Sequence, residues 1–301
     1  MKVSEFKTAG KLITGLGAIK ALTDEMARLS IKECAIVTDK GVSSSGLLDQ
    51  LLTLLPSSPL LIIDDIPPEP EVNIIEDKLA ILREKQVDGI IALGGGSAID
   101  SAKVLAATYD HTGSLSELFG ENTLSKRRLP LIVIPTTAGT GSEVTNIAIL
   151  SDPIAQMKKG IVSPCLLPDV AIVAPEMTKT CPQSITAASG IDAFVHALEA
   201  YISVNASPIT DALAEKALKL IFNSLLHAYN NGENLSARED MATGSLMAGL
   251  AFGNAGVGAV HALAYPLGGR FHLSHGMSNA VMLPHVLKVN APFCQDKLYC
   301  V

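Results

Sequence analysis

The chain lacks any run of about 18 apolar residues, the length needed to cross a bilayer. Its opening, Met1-Lys-Val-Ser-Glu-Phe-Lys7, has no apolar stretch of the kind that marks a secretion signal. The five cysteines (Cys34, Cys165, Cys181, Cys294 and Cys300) are odd in number and show no CxxC spacing. That excludes a disulfide framework and a paired-thiolate metal site, and points to reduced packing cysteines in a cytoplasmic protein. No cluster of Lys and Arg is present, and 23 basic against 30 acidic residues give a net charge of −7. A nucleic-acid surface is therefore not expected, nor a membrane partner. Internal repeats and low-complexity tracts are absent, as are the GxGxxG fingerprint and the GK[ST] of a P-loop.

What is present is a large apolar fraction, 48% hydrophobic against 18% charged, in 301 residues. A chain of this length can bury a substantial core and suggests two domains. The excess of apolar residues also suggests a buried subunit interface, so a homodimer or larger homo-oligomer is expected.

The first half alternates short β-rich runs with helical spacing. Cys34–Asp39, Leu60–Asp64, Gly89–Leu93 and Leu131–Pro135 read as strands buried on both faces, with helices over 17–30, 72–86 and 97–109. Such alternation implies an α/β fold with a doubly wound, mostly parallel sheet. Ile66-Pro-Pro-Glu-Pro70 reads as a rigid connector, since proline cannot serve a central strand. Beyond Asp169–Pro175 the texture changes. Ser184–Tyr201, Pro208–Tyr229, Ala237–Phe252, 257–267 and 275–289 are all predicted helical from their Ala, Leu and Met content. The expected division is a 1–178 α/β domain and a 179–301 helical domain.

Gly94-Gly-Gly-Ser97 leaves an apolar strand and opens a helix. Glycines let a backbone approach a diphosphate, and helix-start N–H groups bind anions. Ser97 is a candidate N-cap whose hydroxyl can turn to phosphate instead. The same turn is equally compatible with no ligand. Pro135-Thr-Thr-Ala-Gly-Thr-Gly-Ser-Glu143 also leaves a strand end, where open α/β sheets place ligands, although its hydroxyls can equally satisfy local backbone. Asp39 ends the first strand and can accept from a ribose diol while repelling a 2′-phosphate, or simply shape a turn. It precedes the glycines, the reverse of the ordinary dinucleotide-binding order.

Asp192 and His196 lie four residues apart in a predicted helix, on one face and a turn apart. His261 and His275 follow, and four of the seven histidines fall between 261 and 285. One carboxylate with three imidazoles suits a divalent transition metal such as iron or zinc. Spread over 84 positions, these residues do not by themselves define one site. His111 and His227 read as core histidines.

Gly94–Lys103, Pro135–Glu143, Asp192-Ala-Phe-Val-His196, His261–Gly268 and Ser274–Ala280 together resemble the iron-containing (group III) alcohol dehydrogenases. The resemblance runs along almost the whole chain. It implies a dehydroquinate synthase-like architecture: an α/β dinucleotide-binding domain followed by an all-α metal-binding domain. It also implies Fe(II), or zinc, on Asp192, His196, His261 and His275, and NAD as the cofactor. Asp39 then corresponds to a residue favouring NAD over NADP. Gly94, Gly95, Gly96, Ser97, Thr136, Thr137, Thr140 and Thr145 correspond to pyrophosphate and ribose contacts, Lys158 to a further cofactor contact, and Phe252 to a wall of the nicotinamide and substrate pocket.

The implied reaction is hydride transfer between NAD(H) and a small primary alcohol or diol, giving the aldehyde, and the reverse. Two departures stand out. Where many members carry a histidine four positions after the third ligand, this chain has Tyr265. A phenol with an ordinary pKa near 10 accepts protons poorly at neutral pH, so a relay would run through water, ribose or His272. The tail from Gln295 onward does not read like the family's continuation, so truncation of the helical domain is expected. The rival readings are a glycerol dehydrogenase-like or maleylacetate reductase-like oxidoreductase, and an inactive fragment serving as a binding component.

Overall fold

The computed structural model describes residues 3–271 and 273–300. The chain divides into two compact units. One comprises Ala9–Thr136 and Ser142–Met177; the other holds the residues up to Thr8, the short segment Thr137–Gly141 and the chain from Thr178 onward.

The α/β unit runs β1 (Leu12–Thr14), α1 (Leu22–Arg28), β2 (Cys34–Val37), α2 (Lys40–Ser44), α3 (Leu47–Leu52), β3 (Leu61–Ile63), α4 (Val72–Glu84), β4 (Gly89–Gly94), α5 (Gly96–Thr108), β5 (Gly120–Glu121), β6 (Leu131–Pro135), β7 (Ile147–Asp152), β8 (Met157–Val162) and β9 (Val170–Val173). Six strands form one sheet in the order β1-β9-β6-β4-β2-β3, every pair parallel. Its four central strands are Val- and Ile-rich and buried along their whole length, the pattern of a sheet covered on both faces. A core of Leu22, Met26, Ile36, Leu51, Ile91, Leu93, Ile132 and Ile172 packs against them.

The chain leaves β2 for β3 on one side and returns to β4 on the other, so the strand order reverses between β2 and β4. Open α/β sheets bind ligands at the carboxyl ends of the strands at such a reversal. Val37 and Ala92 are register partners, and Asp39 and Gly94 each lie two residues further on. That placement explains the inverted order in the sequence: acidic residue and glycines are neighbours through the sheet, not along the chain.

The predicted helix over 17–30 is a correction. Gly17, at φ 80°, caps a 3-10 turn over Ala18–Ala21, and α-helix begins only at Leu22. A second sheet, β5-β8-β7, was not anticipated; its β7–β8 pair is antiparallel. Lys103 anchors it. This fully buried ammonium donates to Thr145 Oγ1 (3.1 Å) and to the Ile147 carbonyl (2.9 Å), beside Asp100 at 3.5 Å. Asp100 in turn accepts from the Ile149 N–H. The polar half of the Gly94–Lys103 motif therefore pins β7 to α5.

The helical unit contains α6 (Gln183–Ile202), α7 (Pro208–Asn230), α8 (Leu235–Ala255), α9 (Ala259–Phe271), α10 (His275–Asn290) and α11 (Gln295–Leu298). Helix α7 starts on a capping box between Ser207 and Thr210, with Pro208 at its first position. Ala193, Ala197, Ala217, Ile221, Met241 and Ala248 lie in its core, where the alanines let α6, α7 and α8 approach closely. Buried Arg238 donates to the carbonyls of Gly232 and Cys181 and to Thr186 Oγ1, joining α8 to the start of α6. Among the described residues no single helix is long and apolar enough to cross a membrane.

Candidate functional site

Asp192 and His196 lie on the buried face of α6, His261 in the first turn of α9, and His275 at the first position of α10. One ligand atom from each lies within 4.8 Å of all the others. His275 reaches the group because α10 starts against α6. A Cβ at Gly276 would stand 2.0 Å from the Ala188 carbonyl oxygen, so only glycine permits that approach.

The imidazoles are held from behind. His261 Nδ1 donates to Glu199 Oε2 at 2.6 Å, and Glu199 Oε1 accepts from the Val260 N–H at 2.7 Å. His196 Nδ1 donates to the Gly139 carbonyl at 3.3 Å, within the threonine- and glycine-rich loop. Tying off Nδ1 leaves Nε2 of both rings to serve as ligand, the arrangement in which an outer partner fixes tautomer and ring orientation. Phe252 of α8 stacks on His196 (centroids 4.1 Å, 12°), and His196 stacks on His261 (4.4 Å, 16°). Tyr265 lies one turn beyond His261 and stacks on His275 (5.5 Å, 20°). Asn279, one turn along α10 from His275, donates from Nδ2 to Asp192 Oδ1 at 2.7 Å and lies 3.2 and 3.4 Å from Nε2 of His261 and His275.

Electrostatics follow from this crowding. Burial alone would raise the Asp192 carboxyl, but His196, His275 and His261 outweigh it and hold the group well below the usual carboxylate range. Burial pushes His196 down to about 3, despite the pull of Asp192. Burial would lower His261 too, but hydrogen bonds to Asp192 and Glu199 push it up to about 9.

The group fits a divalent transition metal. Three nitrogens and one oxygen gathered within 4.8 Å are the donor set and the spacing from which small side-chain shifts would enclose such an ion. The proton on His261 is the positive charge that a bound cation would replace.

The nucleotide-side candidates lie as follows. Gly94 ends β4, Gly95 is the N-cap of α5 with no side-chain cap bond, and Gly96 opens the helix. Ser97 is therefore not the N-cap but the second helical residue, and its Oγ accepts from the Glu69 N–H at 3.1 Å. Glycine is needed at the strand end just before the cap, where a Cβ at Gly94 would meet Ala98 Cβ at 2.7 Å. Asp39 caps α2 through Oδ1, which accepts from the Val42 N–H at 3.0 Å, and its Oδ2 lies 3.4 Å from where a Gly94 Cβ would be. Thr136 donates its N–H to the Gly94 carbonyl at 3.0 Å. Thr145 is buried on Lys103, and Lys158 of β8 pairs with Glu69 at 2.5 Å. Thr137 and Thr140 belong to the loop that carries Gly139 and group with the helical unit. His272, the other relay candidate, lies outside the described residues.

Residues 9–175 match the family model for "Iron-containing alcohol dehydrogenase", and residues 186–301 that for "Fe-containing alcohol dehydrogenase family, C-terminal". The chain belongs to the iron-containing alcohol dehydrogenase family. Within it, the chain is 47% identical over 289 residues to long-chain-alcohol dehydrogenase 1 of Geobacillus thermodenitrificans, covering 94% of this chain and 73% of that protein. The crystal structure of a 1,3-propanediol oxidoreductase superposes with a TM-score of 0.91 at 39% identity, over 96% of this chain and 76% of that one. Sulfoacetaldehyde reductase from Bifidobacterium kashiwanohense, solved in complex with NAD+, gives 0.91 at 31% identity, over 96% and 77%. The architecture expected from the sequence is thus the family's architecture.

Three participants escaped the sequence reading: Glu199, Asn279 and Glu69. The first two had a signal. Glu199 follows Asp192 by seven positions and His196 by three, and Asn279 follows His275 by four, so each shares its ligand's helix face.

Proposed function

We propose that this chain interconverts a small primary alcohol or diol with its aldehyde by NAD(H)-linked hydride transfer at the Asp192, His196, His261 and His275 site. The convergence of those four side chains, three of them buried and His275 partly exposed, with two imidazoles tied off at Nδ1, carries the reading. When bound, a divalent metal supplies Lewis acidity toward an alcohol oxygen, and nicotinamide supplies hydride acceptance and return.

The chain's own residues do the rest. Asp192 and the three Nε2 atoms would hold the metal, and Glu199 and the Gly139 carbonyl keep two of the rings turned toward it. Phe252 and His261 clamp the His196 ring, excluding water from that side. Tyr265 stands against His275, where its phenol can donate a hydrogen bond to a substrate oxygen. For the cofactor, Gly94, Gly95, Gly96 and Ser97 offer the first turn of a 13-residue helix, whose N–H groups and dipole favour a diphosphate. Asp39 is placed to accept from a ribose diol, with Thr136, Thr137, Thr140, Thr145 and Lys158 as further contacts. We assign iron, with zinc the alternative that the same donors accept, a 1–178 cofactor part, a 179–301 metal part, a homo-oligomer of at least two chains and a cytoplasmic location on the same reading. Four ligands kept together in a buried cluster speak against a merely structural component.

The test is His261→Ala, with metal content measured by elemental analysis and NAD-linked turnover followed on a panel of short alcohols, diols and aldehydes under defined metal loading. Loss of both metal and turnover is expected. Persistence of both would overturn the ligand assignment.

A further inference from the structure

Glu69 sits in the connector Pro67-Pro-Glu-Pro70 with φ 53°, a left-handed backbone that favours glycine or asparagine. A glutamate flanked by two prolines is an unexpected choice there. Such outliers persist where the surroundings over-determine them, and they cluster at functional sites.

Every polar group of Glu69 is engaged. Its N–H donates to Ser97 Oγ at 3.1 Å, its carbonyl accepts from Ser151 Oγ at 3.1 Å, and its carboxylate accepts from Lys158 Nζ at 2.5 Å. The neighbouring Pro70 carbonyl accepts from the Ser151 N–H at 2.9 Å. One residue therefore joins the first turn of α5 to β7 and β8. Because Ser97 Oγ is used as an acceptor from Glu69, its own O–H remains able to donate to an anion.

The Lys158 side chain is only 10% exposed, whereas the Glu69 side chain is 46% exposed. The ammonium is thus held by a partner whose carboxylate water reaches and whose N–H is bonded to the first turn of α5. For a site that must grip an anionic dinucleotide and then release it, an uncompensated lysine at this position would hold too tightly.

We propose that Glu69 is the fixed counter-ion of the dinucleotide site. It neutralises Lys158 beside the first turn of α5 and so sets how tightly, and with what salt dependence, NAD(H) binds. This inference rests on the reading of Gly94–Ser97 as the cofactor cradle.

The experiment measures NADH affinity by fluorescence titration at low and high ionic strength for wild type, Glu69→Gln, Lys158→Met and the double variant. Glu69→Gln keeps the shape and frees one positive charge near the diphosphate, so NADH should bind about fivefold tighter at low salt, with the gain shrinking as salt screens it. Glu69→Asn, which tolerates the left-handed backbone, should show the same tightening and guards against a folding defect in the first variant. In the Lys158→Met background, Glu69→Gln should change nothing. If Lys158→Met weakens NADH binding while neither Glu69 variant tightens it, the counter-ion role is wrong and the cradle stands. If Lys158→Met binds NADH like wild type, the cradle reading itself fails and takes the inference with it.

Discussion

Glu199 is the residue on which the metal site should depend most without touching the metal. It is 3% exposed and accepts two buried donors, His261 Nδ1–H at 2.6 Å and Val260 N–H at 2.7 Å. Glu199→Ala leaves both unsatisfied at about 1–3 kcal/mol each, roughly 2–6 kcal/mol together, a large share of the stability of a typical domain. That variant risks unfolding and says little about metal. Glu199→Gln is the informative change. It keeps the volume and one accepting oxygen but turns an amide NH2 toward the second donor, and it removes the charge that orients His261. Losing such an outer partner typically weakens metal affinity about 10–100-fold, or about 1.4–2.8 kcal/mol. Competition against a chelator of known affinity measures that loss directly, and thermal melts with and without metal separate it from general destabilisation. Glu215→Gln on α7, which removes an exposed i,i+4 pair with Lys219, serves as the control and should leave metal affinity unchanged. If Glu199→Gln retains metal against the chelator as well as wild type does, the orienting role is refuted.

Two further outcomes follow from the geometry. Asp39→Gly removes the carboxylate proposed to face a ribose 2′ position and should shift the NADP:NAD ratio of kcat/KM by about tenfold toward NADP; an unchanged ratio removes Asp39 from cofactor choice. Hydrogen bonds to Asp192 and Glu199 push His261 up to about 9, above the ordinary histidine value, so a metal taken up there below that pH would displace a proton. Metal affinity should therefore rise with pH by about one proton's worth per unit and level off above about 9. The stability that this proton contributes to the metal-free form is full below about 6.5 and lost as pH rises through about 9, while His196, held near 3, works against the fold as pH falls below about 6.5. Calorimetric uptake in buffers of different ionisation enthalpy reads the released proton, and its absence at neutral pH would refute the linkage.

Three of the central strands were legible because a strand covered on both faces must be apolar throughout, and β2, β4 and β6 are. The β7–β8 hairpin was not, because Met157-Lys-Lys-Gly160 offers no apolar run and β7 buries only alternate residues. Asp192 and His196 were readable from helical spacing alone. Glu199 shares their face, yet a glutamate among alanines and leucines looks like a solvated position until His261 arrives from 62 residues away. Glu69 could not be read at all. Its partners lie 28, 82 and 89 positions along the chain, and its backbone conformation is set by them and by two prolines, not by its own preference.

The ligands come from three helices in a fixed order of synthesis: α6 first with Asp192 and His196, then α9, then α10. A nascent chain that has emerged only as far as α8 holds two of the four clustered donors. His261 adds a third, and His275 joins only when Gly276 has docked against Ala188. All four donors therefore stand together only once the last of these helices is in place, so an ion held by all of them would be a late seal on a polypeptide that has already found its fold.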